Sequence, residues 1–163
     1  HVLLVVEVQE LEVDEGARGR QVDLERQWAR RAVVGWDSGR LAMILAVLEA
    51  RCGIPFAGLD VYLNVAGGMK ISEPAADLAV AAALLSARED SSLPANTVVF
   101  GEISLSGALR PVSQTENRLK EAQKLGFTGA ITPAGAASRG DTQMNVTQVA
   151  DLPGLVGDIF GAG

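Results

Sequence analysis

The sequence predicts a single α+β domain with helices packed on a mixed sheet. Three observations carry that expectation. The chain has 163 residues, about one domain's worth. Segments with the two-residue period of strands and segments with the 3.6-residue period of helices interleave without strict alternation. No internal repeat appears. At this length folding buries roughly 68–70% of the surface of the unfolded chain, which is enough for a core. A content of 48% hydrophobic and 21% charged residues suits a globular domain.

Residues 2–13 alternate towards their end, with Val6, Val8, Leu11 and Val13 set against Glu7, Gln9, Glu10 and Glu12, and so predict a strand. Residues 14–31 hold four acidic and five basic side chains with Gly16 and Gly19 among them. That pattern fits a solvated mobile loop, an insertion or a short surface helix over 14–29. A strand follows over about 31–36. Leu41, Ile44, Leu45, Leu48 and Cys52 then recur at helical spacing, predicting a core helix over 38–52 that ends near Gly53. Cys52 lies on that apolar stripe and reads as a packed thiol. Leu59–Val65 is a strand, Gly67-Gly68 a turn, and Lys70-Ile71-Ser72 extended.

Pro74 suits the first position of a helix running to about Glu89, whose Leu78, Ala81, Ala82 and Leu85 are suited to close packing. Thr97–Ile103 predicts one buried strand, and Ser104–Arg110 a hairpin-like return through Gly107. Ser113-Gln114-Thr115-Glu116 has the form of a capping box, in which the Ser113 hydroxyl and the Glu116 carboxylate each satisfy a free N–H. The helix after it stops at Gly126, with Lys124 in its last turn. Short strands at 130–132 and 144–149 flank a loop over 133–143. A closing helix over 152–160 turns Leu155, Val156 and Ile159 inward.

Composition removes several chemistries. The only histidine is His1, so a Ser-His-Asp or Cys-His arrangement cannot be assembled. One cysteine and one histidine are too few for a zinc site. No EF-hand spacing is present. Gly67-Gly68-Met69-Lys70-Ile71-Ser72 lacks the first glycine of a phosphate loop, so no ATP cradle is expected. A net charge of −6 argues against a whole-surface nucleic-acid footprint, so any DNA contact must come from a local arginine cluster. With 4% aromatic residues, a base-stacking platform is not expected either. A lone Cys fits a reducing compartment, and cytoplasm is the expected location. No apolar run reaches the ~18 residues of a spanning helix, so no membrane partner is expected. The opening His1–Glu7 has no basic region or cleavage site, so no signal peptide is expected.

Four blocks resemble one family. They are Leu63–Leu78, Val99–Val112, the opening Leu4-Val5-Val6-Glu7-Val8-Gln9, and Arg30-Arg31-Ala32-Val33-Val34-Gly35. Together they look like the carboxy-terminal, Lon-protease-like domain of bacterial DNA-repair ATPases of the RadA (Sms) type. The resemblance covers nearly the whole chain and is poorest at 14–29. It implies the proteolytic-domain fold of Lon, of the ribosomal protein S5 domain 2 type. Lon cuts peptides with a serine nucleophile and a lysine base, the latter requiring a lowered pKa. The serine sits in Gly-Pro-Ser-Ala-Gly, which corresponds here to Glu73-Pro74-Ala75-Ala76-Asp77, putting Ala75 at the nucleophile position. The lysine follows a second Pro, here Pro111, by about five residues, in a stretch that reads Val112-Ser113-Gln114-Thr115-Glu116, and corresponds to Glu116. The resemblance thus implies a protease dyad with both members replaced. Ser72, Ser113 and Lys70 lie nearby in sequence and leave a relocated dyad open.

For the family, the resemblance implies a zinc motif and a RecA-like ATPase preceding this domain. ATP, magnesium and zinc would belong to those parts, and no cofactor to these residues. It further implies ring assembly with copies of itself, contact with that ATPase, and binding of single-stranded or branched DNA during branch migration in recombinational repair. Arg30, Arg31, Arg40, Lys70, Arg110, Arg118 and Lys124 lie in or beside the family-like blocks and are the candidate phosphate donors. Arg31 and Arg110 rank first because they flank strands. Trp28 and Trp36 are expected to be packing residues or subunit contacts. Two alternatives stay open: an active Ser-Lys peptidase of the Lon class, and the Lon-like domain of a chelatase- or competence-type ATPase.

Overall fold

A computed structural model describes residues 8–14, 31–34, 36–56, 60–65, 73–89, 91–135 and 143–160. The chain order begins β1 (Val8–Asp14), β2 (Arg31–Val34), α1 (Ser38–Cys52) and β3 (Asp60–Val65). A 3-10 turn at Pro74–Ala76 leads into α2 (Asp77–Glu89), followed by β4 (Thr97–Val99), β5 (Glu102–Ile103) and β6 (Leu109–Arg110). Then come α3 (Thr115–Lys124), β7 (Gly129–Pro133), β8 (Asn145–Val149) and α4 (Leu152–Leu155), which continues as a π turn over Val156–Phe160. Of the loop expected over 14–29, Asp14 ends β1 instead, and residues 15–29 lie outside the described residues, as do the Gly67-Gly68 turn and the Lys70–Ser72 segment.

The described strands form two sheets and a hairpin. In the first sheet β3 is central, antiparallel to β1 and parallel to β2, so this sheet is mixed as expected. The second, in the order β4-β7-β8, is wholly parallel. Its β4 and β7 are linked through a crossover that contains α3. The antiparallel β5–β6 hairpin pairs Glu102 with Arg110 and Ile103 with Leu109. The coarse class is therefore mixed α and β, as the interleaved periods predicted.

Local chemistry sets the helix ends. The Asp37 side chain accepts the Arg40 N–H at 3.0 Å and so caps α1. Gly53 closes α1 in the left-handed region at φ 64°, donating to the Glu49 carbonyl while Ile54 N–H reaches back to Leu48. Asp151 caps α4 by accepting the Gly154 N–H.

Two expectations need correction. The single strand over Thr97–Ile103 is broken at Phe100-Gly101, so β4 joins the parallel sheet and β5 the hairpin. A Cβ on Gly101 would lie 2.7 Å from Pro133 Cγ, so only glycine lets β7 approach this closely. The capping box does not form. Gln114 is the residue before α3, at φ 60°, with no side-chain cap. The Ser113 carbonyl instead accepts from Arg118 Nε at 3.0 Å, and Glu116 points to Lys120 at 3.2 Å, one turn along the helix. Trp36 takes the first of its two expected roles, as a packing residue: it is 4% exposed and belongs to the core. Trp28 lies outside the described residues.

The main core joins Trp36, one face of α1, Leu78, Ala81 and Leu85 of α2, Ile103 and Leu109 of the hairpin, and Leu152 and Leu155 of α4. Val156 and Ile159 pack partly against it, as expected. A second cluster lies under α3, where Leu119 and Ala122 meet Val98, Phe100, Ala130 and Met144. The segment 73–77 and the hairpin are held by contacts to the first of these cores.

Candidate functional site

Pro74 begins the 3-10 turn, and Ala75 and Ala76 are buried behind it. Small side chains permit that burial. The Ala75 carbonyl accepts the Gly101 N–H at 2.9 Å, and the Gly101 carbonyl accepts the Leu78 N–H at 3.0 Å. Two backbone bonds thus clamp the start of α2 to the Phe100-Gly101 break. At the position expected for a serine nucleophile the structure places a buried methyl group.

A carboxylate stands on each side of Pro74-Ala75-Ala76, and each is held by an arginine. Asp77 is 0% exposed and takes Arg40 Nε on Oδ1 at 2.8 Å; its Oδ2 pairs with Arg40 Nη2 and accepts the Ile103 N–H at 3.1 Å. This carboxylate therefore ties α1, α2 and β5 together through a bidentate fork. The Asp77 hydrogen bond raises the Arg40 pKa, burial opposes it, and the charges of Asp77, Glu102 and Asp37 add to the rise. Glu73, at 38% side-chain exposure, pairs with Arg118, whose side chain is 6% exposed. Arg118 also donates to the Ser113 carbonyl and lies over the Phe100 ring at 5.9 Å.

That geometry moves the α3 partner of the segment away from Glu116. Glu116 is 57% exposed and engaged with Lys120 on the outer side of the helix. The α3 side chain that reaches the 73–77 segment is Arg118.

The candidate phosphate donors divide into three groups. Arg40 and Arg118 are committed inside the fold to Asp77 and Glu73, which leaves them poorly placed to meet a phosphate. Arg110 and Lys124 are exposed and take part in no ion pair among the described residues. Arg31 lies in β2 opposite Val61 of β3, but its side chain is outside the description, as are Arg30 and Lys70 altogether. Arg51, exposed in the last turn of α1, was missed by sequence reasoning. Its block looked only like a helix C-terminus, where a cation is ordinary. Cys52 is half-buried and packs on the core; burial, then the charge of Asp151, pushes its thiol pKa up. Among the described residues no group of His, Cys, Asp and Glu is placed to hold a metal ion.

Residues 39–136 match the family model described as subunit ChlI of Mg-chelatase. The match spans Arg40, Asp77, Glu73, Ala75 and Arg118, and so the whole clamped segment. The chain belongs to this ChlI family. The chain is also 58% identical over 135 residues to the DNA repair protein RadA of Brucella abortus, covering 82% of this chain and 29% of that protein. It is 50% identical over 128 residues to RadA of Rickettsia bellii, covering 78% and 29%. With RadA of Synechocystis the figures are 47% over 133 residues, 82% and 25%. The resemblance to RadA-type proteins thus holds over most of the chain, which spans less than a third of the length of these relatives. The ChlI family therefore includes a member in which the helix-opening segment is closed by two arginine–carboxylate pairs.

Proposed function

We propose that the chain serves a RadA-type DNA-repair ATPase as a non-catalytic Lon-like module. It would act in ring assembly and DNA binding during recombinational repair and branch migration. Identity of 47–58% to proteins named DNA repair protein RadA carries the repair reading. The geometry of 73–77 supports its non-catalytic half. Ala75 has no oxygen to attack a carbonyl, and Glu116 faces outward to Lys120. Arg118, which carries only donors and spends them on Glu73 and the Ser113 carbonyl, offers no acceptor for a base's role. In this reading ATP, magnesium and zinc belong to other parts of the full protein, including a RecA-like ATPase, and the location is cytoplasmic. Among the described residues no helix is long and apolar enough to cross a membrane.

The family model favours one rival, a module of a chelatase-type ATPase. The RadA relatives, matched over a larger share of the chain, favour the repair reading.

Two measurements test the proposal. The purified chain and its Ala75→Ser variant should turn over no fluorogenic peptide; serine-inhibitor-sensitive cleavage by either would overturn the non-catalytic reading. Deleting these residues from the full-length protein should abolish its rings in light scattering and weaken its binding to single-stranded DNA. A deletion protein that keeps both properties would overturn the assembly and DNA-binding roles.

A further inference from the structure

We propose that the outer side of the β5–β6 hairpin, together with Arg51 beside its turn, is a contact surface for a nucleic-acid phosphate backbone. Arg51 and Arg110 are its two cationic donors. The inference rests on the DNA-binding reading above and gives it a location.

Seven lysine and arginine side chains are described: Arg40, Arg51, Arg88, Arg110, Arg118, Lys120 and Lys124. Arg40, Arg88, Arg118 and Lys120 are paired with carboxylates. That leaves Arg51, Arg110 and Lys124, all exposed. Two of these three belong to one surface. The hairpin runs alongside α1: at one end the Ile103 N–H shares Asp77 with Arg40, and at the other the turn at Gly107 lies against Arg51. Arg40 and Arg51 are 11 residues apart, about three helical turns, and so lie on the same side of α1.

Arg51 is fixed at its stem and free at its head. A Cβ on Gly107 would stand 3.2 Å from both Cβ and Cγ of Arg51, and Gly107 has φ 85°, so this turn tolerates little but glycine. A packed stem with a free guanidinium loses less freedom on binding than an unsupported surface arginine. Arg110 is set outward by strand alternation, since its neighbour Leu109 is buried. It stands three residues beyond Gly107, roughly 10 Å along the strand. Ser104 and Ser106 bond each other through their hydroxyls at 2.8 Å, which leaves one further uncharged donor at the turn. Of the nearby acids, Asp151 caps α4. Glu102 stands opposite Arg110 across the hairpin without forming an ion pair with it, which leaves the Arg110 guanidinium open to a phosphate.

The same turn also exposes Leu105 at 73%. A phosphate contact has no need of that side chain, whereas a protein-docking surface would be centred on it. The two occupants can therefore be told apart.

The experiment is fluorescence anisotropy with a labelled single-stranded oligonucleotide across a salt series, with circular dichroism confirming the fold of each variant. Arg51→Gln and Arg110→Gln should each lower the slope of log affinity against log salt by about one unit, and the double variant by about two. Arg51→Lys with Arg110→Lys should restore the slope, and Leu105→Ser should leave affinity within about twofold. Wild-type binding with an unchanged slope in the folded double Gln variant would overturn the proposed surface while leaving the DNA reading standing. Loss of binding in Leu105→Ser alone would overturn it in favour of protein docking. No binding by the wild-type chain or by the full-length protein would overturn the DNA reading itself, and this proposal with it.

Discussion

Arg40 grips both oxygens of Asp77 across 37 positions of sequence, and the carboxylate it grips has no exposure to solvent. Asp77 also accepts the Ile103 N–H, so its charge is shared among three elements. Removing one member of such a pair strands the other. Asp77→Ala and Arg40→Ala should each destabilise the fold by about 3–5 kcal/mol, read as a lower urea midpoint. Because Arg40 retains some solvent contact, its loss should cost towards the lower end. The double variant Arg40→Met with Asp77→Leu should cost less than the sum of the two single changes. Additive costs would mean that the pair is not the tie described here.

Arg118 presents the complementary case, since sequence reasoning placed it among the DNA candidates and the fold encloses it. Arg118→Ala should lower stability by about 1.5–3 kcal/mol, through lost charge-assisted hydrogen bonds to Glu73 and Ser113. Arg118→Lys should recover only part, because one ammonium cannot reproduce the planar fork over Phe100. The salt dependence of DNA binding should not change in either folded variant. A slope reduced by a full unit would return Arg118 to the phosphate donors.

Thr132 in β7 is 0% exposed, and its hydroxyl meets no hydrogen-bond partner. An orphaned buried hydroxyl is destabilising, while valine has nearly the same shape and the same preference for strands. Thr132→Val should raise the denaturation midpoint by an amount worth about 1 kcal/mol. Thr132→Ser should lower it, since it keeps the orphan and removes a packed methyl. A lower midpoint for Thr132→Val would show that the hydroxyl has a partner.

For Cys52 the folded pKa is raised, so the protonated thiol is the form that the fold favours. Its stabilising share is present below the ordinary thiol pKa of about 8.5 and is lost as pH rises through the folded value. Alkylation by iodoacetamide near pH 8 should be slower in the native chain than in denaturant. The native rate should keep climbing at pH values where the denatured rate has levelled. Equal profiles would remove the effect of burial.

Much of the local structure was legible in the residues. The bounds of α1 follow from Asp37, a four-residue apolar rhythm and Gly53, all of which act within a few residues of one another. Pro74 marked the start of the next helical stretch, and the strand periods gave the mixed class. Where two local rules competed, the fold chose. Thr97–Ile103 reads as one strand, yet Gly101 must touch Pro133 and clamp the start of α2. Ser113 and Glu116 have the spacing of a capping box, yet the left-handed Gln114 and the reach of Arg118 disengage them.

By itself the sequence places Ala75, with no nucleophilic oxygen, between Pro74 and Ala76, and it holds a single histidine, His1. Its net charge of −6 limits a proposed contact with DNA to a local cluster of cations. Which arginines are available only the tertiary structure decided. Arg40, Arg110 and Arg118 look alike along the chain. Two of them meet carboxylates 37 and 45 positions away, while Arg110 meets none among the described residues. An ion pair of that range leaves no local pattern of spacing or composition. It exists only once packing has brought the starts of α1, α2 and α3 to the same buried segment.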